Sequence, residues 1–273
     1  MSKSVKKAIL PVAGLGTRLA PITRSIPKEM LPIVDKPMIQ LAVEEALDAG
    51  VEQVILVSGR SKGSIGEYFN TNMGAICTVQ QPSPLGLGHA VLCARPIIGD
   101  EPFAILLGDD LIFTSSDKPN GIRQLIDAYE NTGKSQVAIQ QVPRDEVYRY
   151  GAVEGYFSKD NKSQFVIESL VEKPPKGEEK TDQVIVGRYV LSPAVWPLLE
   201  RQVANHQDDS EIQLTDTLIE LLKSEGLMGL KFEGHRVDAG NRVGYLEANL
   251  VQALKRPELR EDVLEILQKL DIA

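Results

Sequence analysis

Two apolar runs with no polar face, Ala8-Ile9-Leu10-Pro11-Val12 and Val54-Ile55-Leu56-Val57, flank a segment whose apolar residues recur at helical spacing: Ile39, Ala42, Val43, Ala46 and Leu47. Strand, helix, strand in that order predicts a βαβ unit, and strands apolar on both sides predict a sheet covered by helices on both faces. Pro37 suits position N1 of the intervening helix and Gly50 its C′ position. The same reading predicts strands at 77–81, 103–107, 137–142 and 184–190, and helices at 89–98, 122–131, 214–224 and 243–255. The fold class expected is therefore α/β, a mixed, mostly parallel sheet flanked by helices in the Rossmann manner. From about Tyr150 the strands come closer together, with 158–162 reading as a hairpin turn and 174–182 as a polar loop. A small β-rich subregion facing a substrate is expected there. Leu259, Val263, Leu264, Ile266, Leu267 and Leu270 make the acidic tail amphipathic. Such a tail predicts a helix docked on the same domain or, alternatively, an oligomer contact.

At 273 residues the chain is long enough for one large domain or two small ones. No apolar run approaches the roughly 20 residues a membrane span requires. The N-terminal lysines lead straight into a strand, without the apolar stretch of a signal peptide, which predicts a cytoplasmic protein with no membrane partner. Cys77 and Cys93 form no metal-ligand spacing and are expected to be buried thiols. A net charge of −8 gives nucleic acid no electrostatic foothold, so an anionic ligand requires a local basic pocket.

The stretch LPVAGLGTRLAPITRSIPKEMLP, from Leu10 to Pro32, supplies one. It is not a dinucleotide fingerprint, because Leu19 and Ala20 stand where the next glycine belongs, and it lacks the Gly-Lys-Ser/Thr of a Walker A loop. What remains is a turn whose small residues let main-chain N–H groups approach phosphate, with Arg18 and Lys28 able to form a two-cation clamp. Further along, VQQPSPLGLGHAV offers Gln81 to a base edge, while Gly86 and Gly88 leave room for a ring. His89 in that segment is expected to cap or pack. ILLGDDLI sets Asp109 and Asp110 just after a buried strand, where open α/β sheets present ligand groups, and HRVDAGN adds Asp238 after another strand. Carboxylates in a phosphate site ask for Mg²⁺, a hard cation satisfied by one or two protein oxygens.

Taken in order, GLGTRLAPITRSIPKEMLPIVDKPMI, VQQPSPLGLGHAV, ILLGDDLI, RYGAVEG with LVEKP, VGRYVLS and HRVDAGN resemble the sugar-nucleotide pyrophosphorylases, which join a nucleoside triphosphate to a sugar 1-phosphate. The resemblance runs from Lys7 to about Leu254. It implies a nucleotidyltransferase domain at 1–255, with a nucleotide part at about 1–142 and a sugar part at about 143–240, followed by a helical tail at 256–273. It implies that Ala13, Gly14, Gly16, Thr17, Gln81, Gly86 and Asp110 bind the nucleotide, and that Arg18, Lys28 and Lys173 act on the phosphates. Gly151, Glu172, Lys173 and Gly187 are implied for the sugar phosphate. Asp109 and Asp238 are implied for Mg²⁺, with Asp110 an alternative or supporting group. PKEMLP and EIQLTD are most similar to the uridylyl-transferring members, which implies UTP and glucose 1-phosphate as substrates and a dimer or tetramer as the assembly.

One departure stands out: only Thr71-Asn72-Met73 lie between EYFN and GAICTVQQP, where those members carry an extra charged segment. There the chain resembles the thymidylyl-transferring members, so dTTP is the alternative nucleotide. A regulatory subunit that binds a sugar nucleotide without turnover is a further alternative. Intact Arg18, Lys28, Asp109 and Lys173 speak against it.

Overall fold

The computed structural model describes residues 4–59, 63–69, 75–207 and 210–270; the short segment at 71–73 lies outside them. A nine-stranded sheet organises the molecule: β1 Lys7–Pro11, β2 Gln53–Ser58, β3 Ile76–Gln80, β4 Phe103–Leu106, β5 Gln136–Gln141, β6 Gly151–Phe157, β7 Gln164–Glu172, β8 Gln183–Leu191 and β9 Met228–Lys231. The spatial order is β3-β2-β1-β4-β8-β5-β9-β7-β6. The first four strands in that order are all parallel. Beyond them, β8 runs antiparallel to β4 and β5, β9 is parallel to β5, and β7 and β6 complete the edge antiparallel. The sheet is thus mixed, with its parallel part formed by the N-terminal βαβ rhythm and its antiparallel part by the closely spaced later strands.

Ile9 and Leu10, neighbours on β1, are both fully buried although they point to opposite faces. Helices Met38–Asp48 and Gly121–Thr132 cover one face, and helices Leu87–Cys93, Val195–Ala204 and Leu214–Ser224 the other. On the second face Trp196 stacks on Phe103 at 4.6 Å and donates its indole N–H to Gly99 O at 3.0 Å, so its polar atom is satisfied in the core. Helix Met38–Asp48 buries Ile39, Ala42, Val43 and Ala46 as its spacing predicts, and Gly50 closes it at φ +89°. Pro37 sits at the cap, one residue before the expected N1.

The expected helix at 89–98 is two helices, Leu87–Cys93 and Arg95–Ile98. Pro96 has no N–H to continue the first and instead occupies the opening turn of the second. Cys77 and Cys93 are partly rather than fully buried, enough to push both thiols above their ordinary pKa. At the C-terminal end, helix Pro257–Lys269 packs on helix Arg242–Lys255 with no residue of its own buried. Among the described residues no helix is long and apolar enough to cross a membrane.

The chain leaves β1 toward β2 and β3 on one side, then places β4 on β1's other side. That reversal opens a crevice at the carboxyl ends of β1 and β4, the place where open α/β sheets bind ligands.

Candidate active site

The segment after β1 is irregular: three short 3₁₀ turns at Thr17–Leu19, Ile22–Arg24 and Lys28–Met30. Gly16 is left-handed at φ +66°, and a Cβ on it would sit 3.0 Å from Lys28 Cβ and 3.2 Å from Thr23 Cγ2. Glycine at 16 therefore lets the Lys28 side chain run along the loop, and Gly14 lies beside its ammonium group. Thr23 Oγ1 donates to Gly16 O at 2.8 Å, fixing the turn. Thr17 and Arg18 are exposed, and Ala13 faces Gly59.

Opposite this loop, Asp110–Phe113 and His235–Asp238 pair as an antiparallel two-stranded piece in which Asp238 faces Asp110, and Ala239 N–H donates to Asp109 O at 2.8 Å. This pairing brings the two distant motifs together. Asp109 Oδ2 accepts from Lys28 Nζ at 2.6 Å and lies 3.7 Å from Arg18 Nη2; Asp238 Oδ2 accepts from Arg18 Nη1 at 3.0 Å and lies 3.9 Å from Arg149 Nη2. Burial opposes the charge on Asp109, but the ion pair and hydrogen bond from Lys28 outweigh it and hold the carboxyl below its usual range. On Lys28 burial works the same way against the charge; Asp109 and Glu29 prevail and hold the ammonium above its ordinary value.

The neighbouring carboxylate is engaged elsewhere. Asp110 accepts from Arg236 Nε at 2.6 Å on one oxygen and from Gly187 N–H at 2.7 Å on the other. A Cβ on Gly187 would come within 2.7 Å of Asp110, which is why that position is glycine. Gly187 projects from a bulge in β8, between pairs Ile185–Ile139 and Tyr189–Val137. The bulge is braced by Arg188, fully buried, which donates to Leu107 O at 3.0 Å and to the Glu45 carboxylate at 2.6 Å. Glu45 also accepts from Ile122 N–H at 2.9 Å.

A cleft of about 260 Å³ runs from these groups to the antiparallel part of the sheet. Its lining joins Arg18, Asp109, Asp110 and Asp238 to Gly151, Glu172, Lys173 and Gly187, with the Gly187–Asp110 hydrogen bond as the link between the two sets. Gly151 and Glu172 are direct partners across β6 and β7. Glu172 accepts from Thr215 Oγ1 at 2.7 Å and lies 3.3 Å from Lys173 Nζ. Lys173 takes φ +44°, a left-handed conformation unusual for lysine, and donates its N–H to Tyr150 O at 3.0 Å. Backbone strain of this kind gathers at ligand sites. Gln213, Leu214 and Thr215 finish the wall. Gln81 and Gly86 are not among its lining residues, but Leu87, next to Gly86, is, and Gln81 Nε2 donates to Gly86 O at 3.1 Å. The Cβ sides of Gly86 and Gly88 face the main chain of Ile212, whose N–H bonds Leu85 O at 2.7 Å, so that segment requires glycines for backbone packing.

Four contributors escaped the sequence reading: Arg149, Arg236, Thr215 and Gly240. Arg236 shares a strand face with Asp238, two residues on, and that alternation was available as a signal. Gly240 had its glycine turn as the only hint. A Cβ on it would fall 2.2 Å from Asp109 Oδ2 and 3.0 Å from Asp238 Oδ1, so glycine keeps open the space between the two carboxylates. That opening and its hard oxygen donors fit Mg²⁺. Among the described residues no group of three or more His, Cys, Asp or Glu is placed to hold a metal, and Mg²⁺ asks for no more than one or two carboxylates beside water and phosphate oxygens.

Comparison with known proteins agrees with this architecture. Residues 7–253 match the nucleotidyl transferase family. The UTP–glucose-1-phosphate uridylyltransferase of Bacillus subtilis is 41% identical over 98% of both chains, and that of Staphylococcus epidermidis is 40% identical over 99% of this chain and 100% of its own. Among solved structures, a UTP-bound UGPase from Acinetobacter baumannii superposes with a TM-score of 0.88 at 36% identity, covering 98% of this chain and 100% of the other. A UDP-glucose pyrophosphorylase complexed with UDP-glucose gives 0.84 at 38% identity over 92% of this chain and 100% of the other. The chain belongs to the nucleotidyl transferase family, as a relative of the UDP-glucose pyrophosphorylases.

Proposed function

We propose that this protein transfers a uridylyl group from UTP to glucose 1-phosphate, releasing pyrophosphate and giving UDP-glucose. The observation that supports it most is the cleft itself, which gathers paired carboxylates and cations together with a Glu-Lys pair and strand-borne glycines. In this reading about 1–142 holds the nucleotide and about 143–240 the sugar.

The reaction is an in-line displacement. An oxygen of the sugar phosphate attacks the α-phosphorus of UTP, the bond to the β-phosphate oxygen breaks, and pyrophosphate leaves with the electron pair. The attacking oxygen is already anionic, so positioning and charge stabilisation suffice and no general base is needed. Lys28 and Arg18 are paired with Asp109 and Asp238. Triphosphate takes over these cations as its own partners, which frees the carboxylates as it enters. Mg²⁺ held by Asp109 and Asp238 would supply further positive charge against the phosphoryl oxygens. Arg149 adds a cation at the same end. Glu172, oriented by Thr215, accepts from sugar hydroxyls, and Lys173 grips the sugar phosphate. Asp110, also on the cleft wall, acts through its two hydrogen bonds, which fix the turn that aims Asp109.

A pyrophosphate-release matrix of UTP, dTTP, ATP, CTP and GTP against glucose, galactose and mannose 1-phosphates tests the reading. UTP with glucose 1-phosphate is expected to give the highest kcat/KM and dTTP to be its strongest competitor. A dTTP value ten or more times that of UTP would reassign the nucleotide, and no release with any pair would leave a binding subunit.

A further inference from the structure

Gln81 follows β3 directly, is 4% exposed and is held by its own N–H on Ser58 O at 2.8 Å. Its side-chain Nε2 donates to Gly86 O at 3.1 Å and lies 3.0 Å from His89 Nδ1. A main-chain carbonyl only accepts, so the Gly86 contact decides which end of the amide is nitrogen. One N–H then remains, and it meets His89 Nδ1, which must accept. The ring proton accordingly belongs on Nε2, which lies 3.9 Å from Cys93 Sγ. Burial, with a smaller contribution from His206, holds His89 below its ordinary pKa against the Ser83 main-chain carbonyl, and keeps the ring in the neutral form this role requires.

We propose that His89 is a specificity-positioning residue: by accepting the second N–H of Gln81 it locks the amide, leaving the carbonyl oxygen as the group turned toward a nucleobase. An oxygen in that place reads a ring N–H. Uracil and thymine carry one at N3, whereas cytosine presents a lone pair there and meets repulsion. If the amide could rotate, its N–H would welcome cytosine instead. Two hydrogen bonds inside the protein, one of them to a residue that need not touch the ligand, thus set the choice among pyrimidines. The inference rests on the proposed use of UTP and on the expectation from the sequence that Gln81 offers its amide to the base edge.

The test uses the purified full chain and kcat/KM for UTP, dTTP and CTP with glucose 1-phosphate in His89→Leu, which fills the site without an acceptor, and His89→Gln, which restores one. The Leu variant is expected to lower the UTP-to-CTP ratio about tenfold, the weight of one buried hydrogen bond, with UTP-to-dTTP unchanged; the Gln variant is expected to regain most of the ratio. His89→Ala takes its place should the Leu variant fail to fold by circular dichroism. A uniform fall for all three nucleotides, or equal loss of the ratio in the Leu and Gln variants, overturns the proposal and makes His89 a packing residue. Gln81→Ala separates the two layers: if it leaves base selection untouched, the base reading itself fails, whereas altered selection there with a ratio-neutral His89→Leu removes His89 alone.

Discussion

The two walls of the cleft are built by different means. In the loop wall, Arg18 and Lys28 stand on 3₁₀ turns in a stretch without regular structure, anchored by Gly16 and Thr23. In the sheet wall, Gly151 and Glu172 face each other across paired strands, Gly187 rides a bulge, and Lys173 follows β7 directly. A turn can change its partners without breaking a sheet, and the loop cations are bound to carboxylates that phosphate can displace. The strand-borne wall is prearranged, with Glu172 already oriented by Thr215. In the proposed reaction, exchangeable charge meets the triphosphate and fixed geometry meets the sugar.

The largest effects are expected at the adjacent carboxylates, which have opposite jobs in the proposed reaction. Asp109→Asn should lower turnover by about three orders of magnitude or more in Mg²⁺, since the metal loses an anionic ligand, with a smaller loss of stability than at Asp110 because Lys28, its partner, is the less buried cation. Asp110→Asn should instead unfold early. Its carboxylate is the partner of Arg236, itself about 10% exposed, and stranding a buried guanidinium costs roughly 3–5 kcal/mol. Glu45→Gln should fall in the same stability range, through Arg188. Chemical denaturation beside steady-state assays separates the two patterns, and an Asp109→Asn variant with normal turnover would move the metal role elsewhere.

A smaller effect sharpens the strand-borne side. Lys173→Gly should be more stable than Lys173→Ala by about 1 kcal/mol, because glycine adopts φ +44° without penalty. Both should lose sugar-phosphate affinity alike, since both lack the ammonium group. Equal stability of the two variants in denaturant would show that the backbone is not strained there.

The parallel part of the sheet was the most legible in the sequence. β1, β2 and β4 lie where uniformly apolar runs predict them, because burial on both faces leaves a strong local signal. Elements made by pairing with distant partners were less so. Asp110–Phe113 is a strand because His235–Asp238 lies beside it, and Met228–Lys231 is too short to carry a period of its own. The carboxylates, the loop cations and the Glu-Lys pair stood out by residue type at set positions in the chain. Arg149 and Thr215 did not, since their roles arise only when the fold folds 149 back toward 238 and 215 toward 172. That Asp110 bonds Arg236 and Gly187 while Asp109 bonds Lys28 likewise depends on which way each of two neighbouring side chains points, and the pairing of the strand that starts there sets it.

The division of labour between the walls is most directly tested by the Michaelis constants of Arg18→Ala and Lys173→Ala for both substrates. Arg18→Ala should raise KM for UTP and slow pyrophosphate release while KM for glucose 1-phosphate stays near the wild-type value; Lys173→Ala should do the converse, raising chiefly KM for glucose 1-phosphate. If Lys173→Ala disturbed the nucleotide alone, the strand-borne wall would not be the sugar wall, and the account of the cleft would be wrong.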